Sequence, residues 1–204
     1  MFRSINKEAE RIDAHEKVTG RVKYAADITL GNQLYAKTVY SSYPHAEITG
    51  IDTGEAGTVD GVVEIITAAD VPGKNEMFGR FPVLAEKAVK HIGDGVAVVA
   101  AESAEAAEAA AALVKVSYQE LPLSETVEEA IAGGAELVHE DAAGNIMENT
   151  HYPMYFGDTE KGFAEADVIL EKEYSTHFVD QAYIEPEAMI VLPDYYRRGV
   201  EIHG

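Results

Sequence analysis

The sequence predicts an α+β fold in which a mixed sheet packs against an alanine-rich helix, followed by the first strands of a second, incomplete α+β region. Three observations support this prediction. Short apolar stretches recur between turn residues from position 20 to position 71. An alanine-dominated segment at 104–112 lies between two apolar stretches of strand character. Extended patterns return beyond an acidic stretch at 135–149.

Short strands joined by tight turns are predicted for the first part of the chain. The segment 21–25 alternates polar and apolar residues, as a half-buried strand does. Further strand patterns follow at residues 34–39, 48–51 and 61–66. The sequence Thr67-Ala68-Ala69-Asp70 stands before a Pro-Gly pair, which predicts one helical turn.

A strand, a helix and a second strand are predicted in succession after an exposed excursion at 74–88. Residues 96–100 are all apolar and form the first strand. Ser103 is a good N-cap for a helix over 104–112, whose small side chains allow close approach to a sheet. Residues 113–118 alternate again, so the three elements form a compact α/β layer.

The remaining residues divide into a linker and a second region. Thr126-Val127-Glu128-Glu129 has the form of a capping box and predicts a brief helix. Extended segments are predicted at 152–156 and 168–178, a short helix from 157 to 166, and strands at 188–192 and 199–202. We therefore predict a first domain at 11–123, a linker with a short helix at 124–147, and the start of a second domain at 148–204.

Composition excludes several function classes. The formal charge is −20, from 36 acidic and 16 basic residues, so nucleic acid and membrane surfaces are poor partners. The chain has no cysteine, which removes disulfides and protein-ligated iron–sulfur clusters from it. The N-terminus has no apolar signal-peptide core, and no segment reaches the ~20 apolar residues of a membrane helix, so a cytoplasmic location is expected.

Seven histidines raise the question of a metal site, but none forms an i, i+3 or i, i+4 pair. We expect each to have a structural role, with His45 ordering a turn and His91 standing at a strand entrance. The histidines are at positions 15, 45, 91, 139, 151, 177 and 203.

Acidic pairs and glycine turns are likewise interpreted as structural. Glu128 and Glu129, Glu171 and Glu173, and Glu185 and Glu187 around Pro186 are the carboxylates considered for acid–base work. Gly93-Asp94-Gly95 and Gly31-Asn32 lack the continuation of a nucleotide-binding loop, and no serine-nucleophile motif occurs. We predict no catalytic, cofactor-binding or metal-binding residue in this chain.

The order of several short phrases resembles the aldehyde oxidase and xanthine dehydrogenase family, at the start of its molybdenum-binding subunit. The resemblance covers residues 11–122 and continues more weakly through 157–168 to 184–187. Its phrases include Arg11-Ile12-Asp13-Ala14, Lys17-Val18-Thr19-Gly20, Tyr24-Ala25-Ala26-Asp27-Ile28, Ser41-Ser42-Tyr43-Pro44-His45-Ala46-Glu47-Ile48, Thr67-Ala68-Ala69-Asp70-Val71-Pro72-Gly73 and Val116-Ser117-Tyr118-Gln119-Glu120-Leu121-Pro122.

This resemblance implies an α/β hammerhead domain at 11–123 and the start of a molybdopterin-binding region at 148–204. It implies, for the intact enzyme, hydroxylation of purine-like heterocycles or aldehydes at a molybdenum–molybdopterin centre, with oxygen from water. Electrons would leave through iron–sulfur clusters and FAD on partner chains or domains. The implied partners are the remainder of the molybdenum-binding subunit and the iron–sulfur and flavin subunits.

Segments that carry the chemistry in this family have no counterpart here, so the resemblance implies a scaffold portion that is inactive alone. We hypothesise that the chain is a truncated subunit. The alternative is a stand-alone hammerhead-fold interaction module without molybdenum chemistry, and a small hydrolase is disfavoured by the missing motifs. A complete packed subdomain at 145–204 would favour the module, whereas unpaired strand edges or a large exposed apolar patch would favour truncation.

Overall fold

The computed structural model describes residues 11–78, 81–147, 154, 156–184 and 187–204. The strands are β1 Tyr35–Tyr40, β2 Ala46–Asp52, β3 Val62–Thr67, β4 Ala88–Val89, β5 Gly95–Ala101, β6 Lys115–Glu120, β7 Ile190–Asp194 and β8 Gly199–His203. The α-helices are α1 Ala14–Val18, α2 Ala104–Ala111, α3 Val127–Ala130 and α4 Thr159–Glu165. Two compact units form: a central unit, Asn32–Gly162, and a terminal unit of the described residues up to Gly31 with Phe163–Gly204.

Strand β5 is the centre of the first sheet, whose order is β1-β5-β3. Both of its neighbours pair with it antiparallel, so Val99 lies opposite Lys37 on one side and Ile65 on the other. Strand β5 is also covered on both faces, which explains why its sequence is apolar throughout and does not alternate. Its side chains therefore enter two separate clusters.

One of these clusters, the helix-side core, is built from the fully buried Ala56, Val99 and Ala110. Helix α2 lies over this face of the first sheet, because its alanines leave room for a close approach. The Ser103 hydroxyl caps the helix by accepting a hydrogen bond from the Ala106 N–H at 3.1 Å. The predicted helix and its N-cap are confirmed.

The other cluster, the second-sheet core, contains the buried Ala46, Ala85, Val89 and Val96. It lies against the second sheet, whose order is β4-β2-β6 and whose pairs are antiparallel. Val96 comes from β5, so alternate residues of this one strand supply the two cores. The α+β class is confirmed, and the predicted mixed sheet is replaced by two three-stranded antiparallel sheets in the central unit.

The terminal unit contains a two-stranded sheet, in which β7 pairs antiparallel with β8. Val191 lies opposite Ile202, and Pro193 lies opposite Val200. Since side chains opposite each other share a face, these residues form one apolar face of the ribbon. The valines and the isoleucine on this face are more than half exposed. The predicted strands at 188–192 and 199–202 are confirmed.

Two predictions about segments were wrong. The stretch 21–25 forms no strand, and its last residue begins a single helical turn, Ala25–Asp27. The Tyr24 N–H donates a hydrogen bond to the Asp27 carboxylate and so stabilises this turn. The stretch 168–178 has no ladder partner among the described residues, and its extended conformation stays a prediction. The excursion 74–88 is not wholly exposed, since Leu84 and Ala85 are buried. The predicted extended segment 152–156 lies mostly outside the described residues.

Asp70 closes the helical turn that follows β3, as the sequence predicts. Its Oδ2 accepts hydrogen bonds from the N–H and the hydroxyl of Thr67, at 2.8 and 2.9 Å. These two bonds, the backbone one foremost, lower the pKa of Asp70, because they favour its ionised form. The carboxylate therefore stabilises the fold above the pKa that it has in the unfolded chain, and the contribution is lost as the pH falls through the lower folded-state pKa.

We expect the Asp70→Asn variant to melt at a lower temperature than the wild type at pH 7. The difference should shrink as the pH falls below about 4, because Asp70 takes up a proton in the unfolded chain there, and it should vanish below the lower pKa of the folded state. Thermal unfolding followed by circular dichroism at a series of pH values measures both effects. Asp60→Asn is the matched control, because Asp60 is exposed and its side chain bonds no described residue. A difference between the variants that is constant with pH would contradict this account.

Candidate functional site

The described histidines differ in their surroundings. His15 and His177 are exposed, His203 faces Glu201 at 3.0 Å, and His151 lies outside the described residues. His91 pairs with Asp94 at 2.9 Å beside the strand entrance that the sequence predicts. Two others, His45 and His139, line a single cleft of the central unit. Sequence reasoning missed this meeting, because 93 intervening residues separate the two positions.

His45 joins the beginning of β2 to the end of β6. Its carbonyl accepts a hydrogen bond from the Leu121 N–H at 3.1 Å, and its Nδ1 lies 2.6 Å from the Pro122 carbonyl oxygen. A carbonyl can only accept, so Nδ1 carries the proton and donates it. In the neutral ring Nε2 is then an acceptor, and no hydrogen bond joins it to a described residue. The ring is 8% exposed, so this acceptor lies in a nearly buried position.

His139 attaches the segment 135–142 to the second sheet. Its Nδ1 lies 3.0 Å from the Lys90 ammonium nitrogen. Because an ammonium group can only donate hydrogen bonds, Nδ1 is the acceptor in this pair. The ring also meets Phe81 edge-on, with ring centroids 6.0 Å apart. Ala142, at the end of the segment, is buried. These contacts hold a segment that the sequence predicts only as a linker.

The cleft between this segment and the second sheet has a volume of about 830 Å³, which is in the range of small-ligand sites. Asn75 forms part of its wall and is held by two hydrogen bonds with the backbone of Leu84, at 2.7 and 3.0 Å. Acidic side chains outnumber the lysines on its lining. The charged and imidazole residues of the cleft are His45, Glu76, Glu86, Lys87, Lys90, Glu136, His139, Glu140 and Asp141.

The carboxylates considered from the sequence do not converge on this cleft. Glu129 caps α3 by accepting from the backbone N–H groups of Glu125 and Thr126, at 2.8 and 3.4 Å. This confirms the capping box. The remaining carboxylates are exposed or outside the described residues: Glu128, Glu171, Glu173 and Glu187 are exposed, and Glu185 is not described.

The glycine turns have the structural role that the sequence predicts. In Gly93-Asp94-Gly95 the Asp94 Oδ2 accepts from the N–H groups of Lys90 and His91, at 2.6 and 3.3 Å. Gly93 has φ of 95°, a backbone conformation that is strained for any residue with a side chain. In the Gly31-Asn32 turn, Asn32 has φ of 60°, a conformation that asparagine tolerates.

Two further groups with shifted pKa values are exposed, and neither is among the residues that line the cleft. Hydrogen bonds from Arg11 and Lys17 hold the pKa of Asp13 well below its usual range. A hydrogen bond to Glu55 at 2.6 Å raises the pKa of Lys115. Each is an exposed ion pair, which is a structural cause of a shift and carries no sign of acid–base catalysis.

The described residues contain neither a metal-ligand cluster nor a membrane-spanning helix. Within the described ranges, no group of three or more histidine or acidic side chains has an arrangement that could hold a metal ion. None of the helices in those ranges is long and apolar enough to cross a bilayer.

Comparison with known proteins shows the family. Residues 19–122 match the model of the aldehyde oxidase and xanthine dehydrogenase a/b hammerhead domain, and this range contains both three-stranded sheets and α2. The chain belongs to this family. Residues 138–204 match a second model, that of the molybdopterin cofactor-binding domain. The resemblance predicted from the short sequence phrases is therefore confirmed.

Two curated relatives and one solved structure show how far the likeness extends. The chain is 40% identical over 195 residues to a probable xanthine dehydrogenase subunit of Bacillus subtilis, covering 93% of this chain and 26% of the relative. It is 34% identical to the nicotinate dehydrogenase large molybdopterin subunit of Eubacterium barkeri, covering 92% of this chain and 44% of the relative. The chain thus spans less than half the length of these relatives.

The solved aldehyde oxidoreductase from Desulfovibrio gigas has the same fold over most of this chain. It aligns with a TM-score of 0.65 at 36% identity, covering 78% of this chain and 19% of that one. This agreement confirms the α+β fold class.

The described residues of this hammerhead-family chain do not by themselves fit a molybdopterin. A bound cofactor of this kind needs an enclosing site with donors aimed at it. In the ranges 156–184 and 187–204, every described residue is exposed except Ala188, Ile190, Leu192 and Asp194, which are half-buried. This part of the chain therefore forms no cradle, and we assign no cofactor contact to it.

Proposed function

We propose that this chain is the N-terminal scaffold portion of the molybdenum-binding subunit of a xanthine dehydrogenase-type hydroxylase. The observation that carries the proposal is the 40% identity to a probable xanthine dehydrogenase subunit over 93% of the chain. The two family models match in succession, hammerhead first and cofactor-binding domain second. The proposed domains are a hammerhead at 11–123, a linker at 124–147 and the start of the cofactor-binding region at 148–204.

The surface of the terminal unit supports a scaffold that packs against further protein. Large apolar side chains there are almost fully exposed, among them Phe178 at 96% and Ile184 at 98%. The β7–β8 ribbon also presents an apolar face, and each of its strands has one edge without a ladder partner among the described residues. Apolar surface and open strand edges of this extent are features of an interface. We propose the rest of the molybdenum-binding subunit as the polypeptide that covers them.

The activity of the whole enzyme is proposed as hydroxylation of a purine-like heterocycle or an aldehyde. Molybdenum–molybdopterin supplies the redox chemistry when bound, and iron–sulfur and flavin subunits are the proposed electron-transfer partners. In this scheme the central unit positions neighbouring protein, and a cytoplasmic location is part of the proposal. The relatives named above are molybdenum-hydroxylase subunits, so they support this function and not a stand-alone interaction module.

We expect the purified 204-residue chain to carry far less than one molybdenum atom per molecule and to show no substrate-dependent dye reduction. The physical reason is the exposed backbone and side chains of the region matched to the cofactor-binding domain, which leave no enclosed site among the described residues. Inductively coupled plasma mass spectrometry of protein produced in molybdate-supplied cells measures the metal.

The full-length Eubacterium barkeri relative, produced in the same cells, is the positive control, since it is a molybdopterin subunit. Stoichiometric molybdenum in the 204-residue chain would overturn the scaffold assignment. A chain without molybdenum that fails to associate with the remaining segment of a family subunit, supplied in trans, would overturn the proposed packing role.

A further inference from the structure

The cleft beside His139 has a rim of carboxylates that have no partners among the described residues. Glu76, Glu86, Glu136 and Glu140 line it, and their side chains form neither an ion pair nor a hydrogen bond with any described residue. All four are exposed, whereas His45 of the same lining is buried and Lys90 and His139 are half-buried. The lining has five carboxylates, these four and that of Asp141, against the two lysines Lys87 and Lys90, so its excess of negative charge attracts cations.

A second, independent feature of the cleft is a buried hydrogen-bond acceptor on His45. His45 lines the cleft, and it is more than nine-tenths buried. Its Nδ1 proton is used by the Pro122 carbonyl oxygen, so Nε2 is an acceptor without a partner among the described residues. A buried acceptor that lacks a donor is unfavourable, and a ligand N–H that reaches Nε2 would remove this cost.

The volume of the cleft and the distances between its acidic side chains favour an extended organic cation over a metal ion. The acidic and imidazole side chains described here do not come together as a metal-ligand set. The cleft volume of about 830 Å³ is large enough for a peptide side chain with part of its backbone. The ligand must therefore distribute positive charge and N–H donors over several ångströms.

We propose that this cleft binds an arginine-bearing peptide segment of a partner protein. Arginine has five N–H donors in a planar fork, two of which can bond the two oxygens of one carboxylate. Its guanidinium group is also more weakly hydrated than the lysine ammonium, so it enters a half-buried site at a lower desolvation cost. The Glu86 and Glu136 carboxylates come from separate parts of the lining, one before β4 and one on the segment 135–142. The chain charge of −20 steers a basic partner toward this surface.

The full 204-residue chain tests the proposal in a fluorescence anisotropy titration. The probe is a short blocked peptide of alternating alanine and arginine with a neutral fluorophore, and the comparison peptides replace arginine with lysine or glutamate. We expect saturable binding of the arginine peptide, about tenfold weaker binding of the lysine peptide, and no binding of the glutamate peptide. Equal affinity for arginine and lysine, or no binding of either, overturns the proposal.

A matched pair of double variants separates the cleft from general acidity. The double variant Glu86→Gln with Glu136→Gln should bind the arginine peptide about tenfold more weakly, because both rim carboxylates are lost. Glu105→Gln with Glu128→Gln removes the same charge from exposed positions outside the cleft and should change the affinity by less than about twofold. Equal weakening by the two pairs shows diffuse attraction only and overturns the proposal.

The His45 ring supplies a second readout that a merely structural histidine would not give. In nitrogen-15 NMR spectra its Nε2 resonance should move as the arginine peptide saturates the cleft, because a donor then reaches that atom. The exposed His177 is the internal reference and should not move. A His45 resonance unchanged at saturation overturns the placement of the arginine on the cleft floor.

Discussion

The Val99→Asp variant should fail to fold in its central unit. Val99 is fully buried in the helix-side core, beneath α2, and Lys37, which lies opposite it on β1, already pairs with Glu108 of α2 at 3.3 Å. A carboxylate buried in such a place costs several kcal/mol, which is comparable to the whole stability of a domain, about 5–15 kcal/mol. Far-ultraviolet circular dichroism and urea unfolding of the purified variant measure the loss.

Val63→Asp is the matched control for this substitution. Val63 lies in β3 of the same sheet, but its side chain is 51% exposed, so the new carboxylate remains in water. Its free energy of unfolding should stay within about 1 kcal/mol of the wild type. Val99→Ala gives a graded measurement in a variant that still folds, with an expected loss of about 2 kcal/mol. Equal stability of the two aspartate variants would show that β5 is not the centre of the core.

Amide hydrogen exchange should be about a hundredfold or more faster in β7 and β8 than in β5, after correction for intrinsic rates. Strand β5 has a hydrogen-bonded partner on each side and two covered faces. The β7–β8 ribbon has two strands and an exposed apolar face, and such a ribbon is only marginally stable in water. The expected ratio corresponds to a difference of about 3 kcal/mol in opening free energy.

Exchange measured by mass spectrometry on peptic fragments of the 204-residue chain gives this comparison. Strands β2 and β6, which pair with each other in the second sheet, serve as the reference for protected strands within the same molecule. Protection of β7 and β8 equal to that of β5 would contradict the view that the terminal unit is completed by further protein. The same measurement after addition of the remaining segment of a family subunit should slow exchange in β7 and β8.

Elements with a strong local signal were predictable from the sequence. The Thr126 capping box and the Ser103 cap are short-range patterns whose hydrogen bonds close within three residues, so the residues alone are sufficient. The apolar run of β5 and the alanines of α2 were equally clear. The stretch at 21–25 failed because a short alternating segment forms a strand only if another strand lies beside it.

Contacts between distant residues could not be predicted from local patterns. The hydrogen bond from His45 to Pro122 spans 77 positions, and the one from Lys90 to His139 spans 49. Both depend on how the strands of the second sheet are ordered, which a single sequence does not encode in any local period. For the same reason the cleft and its unpaired carboxylates were absent from the predicted sites.

The amino-acid sequence by itself determined the family, the α+β class, the helix and turn caps, and the exclusion of cysteine-based chemistry, because these depend on residue types and short spacings. Tertiary structure decided the division of the strands into two antiparallel sheets and the use of β5 in two cores. It also brought His45 and His139 into one acidic cleft. The physical reason is that strand order and long-range side-chain contacts depend on which apolar surfaces pack together. That packing is a property of the folded chain as a whole.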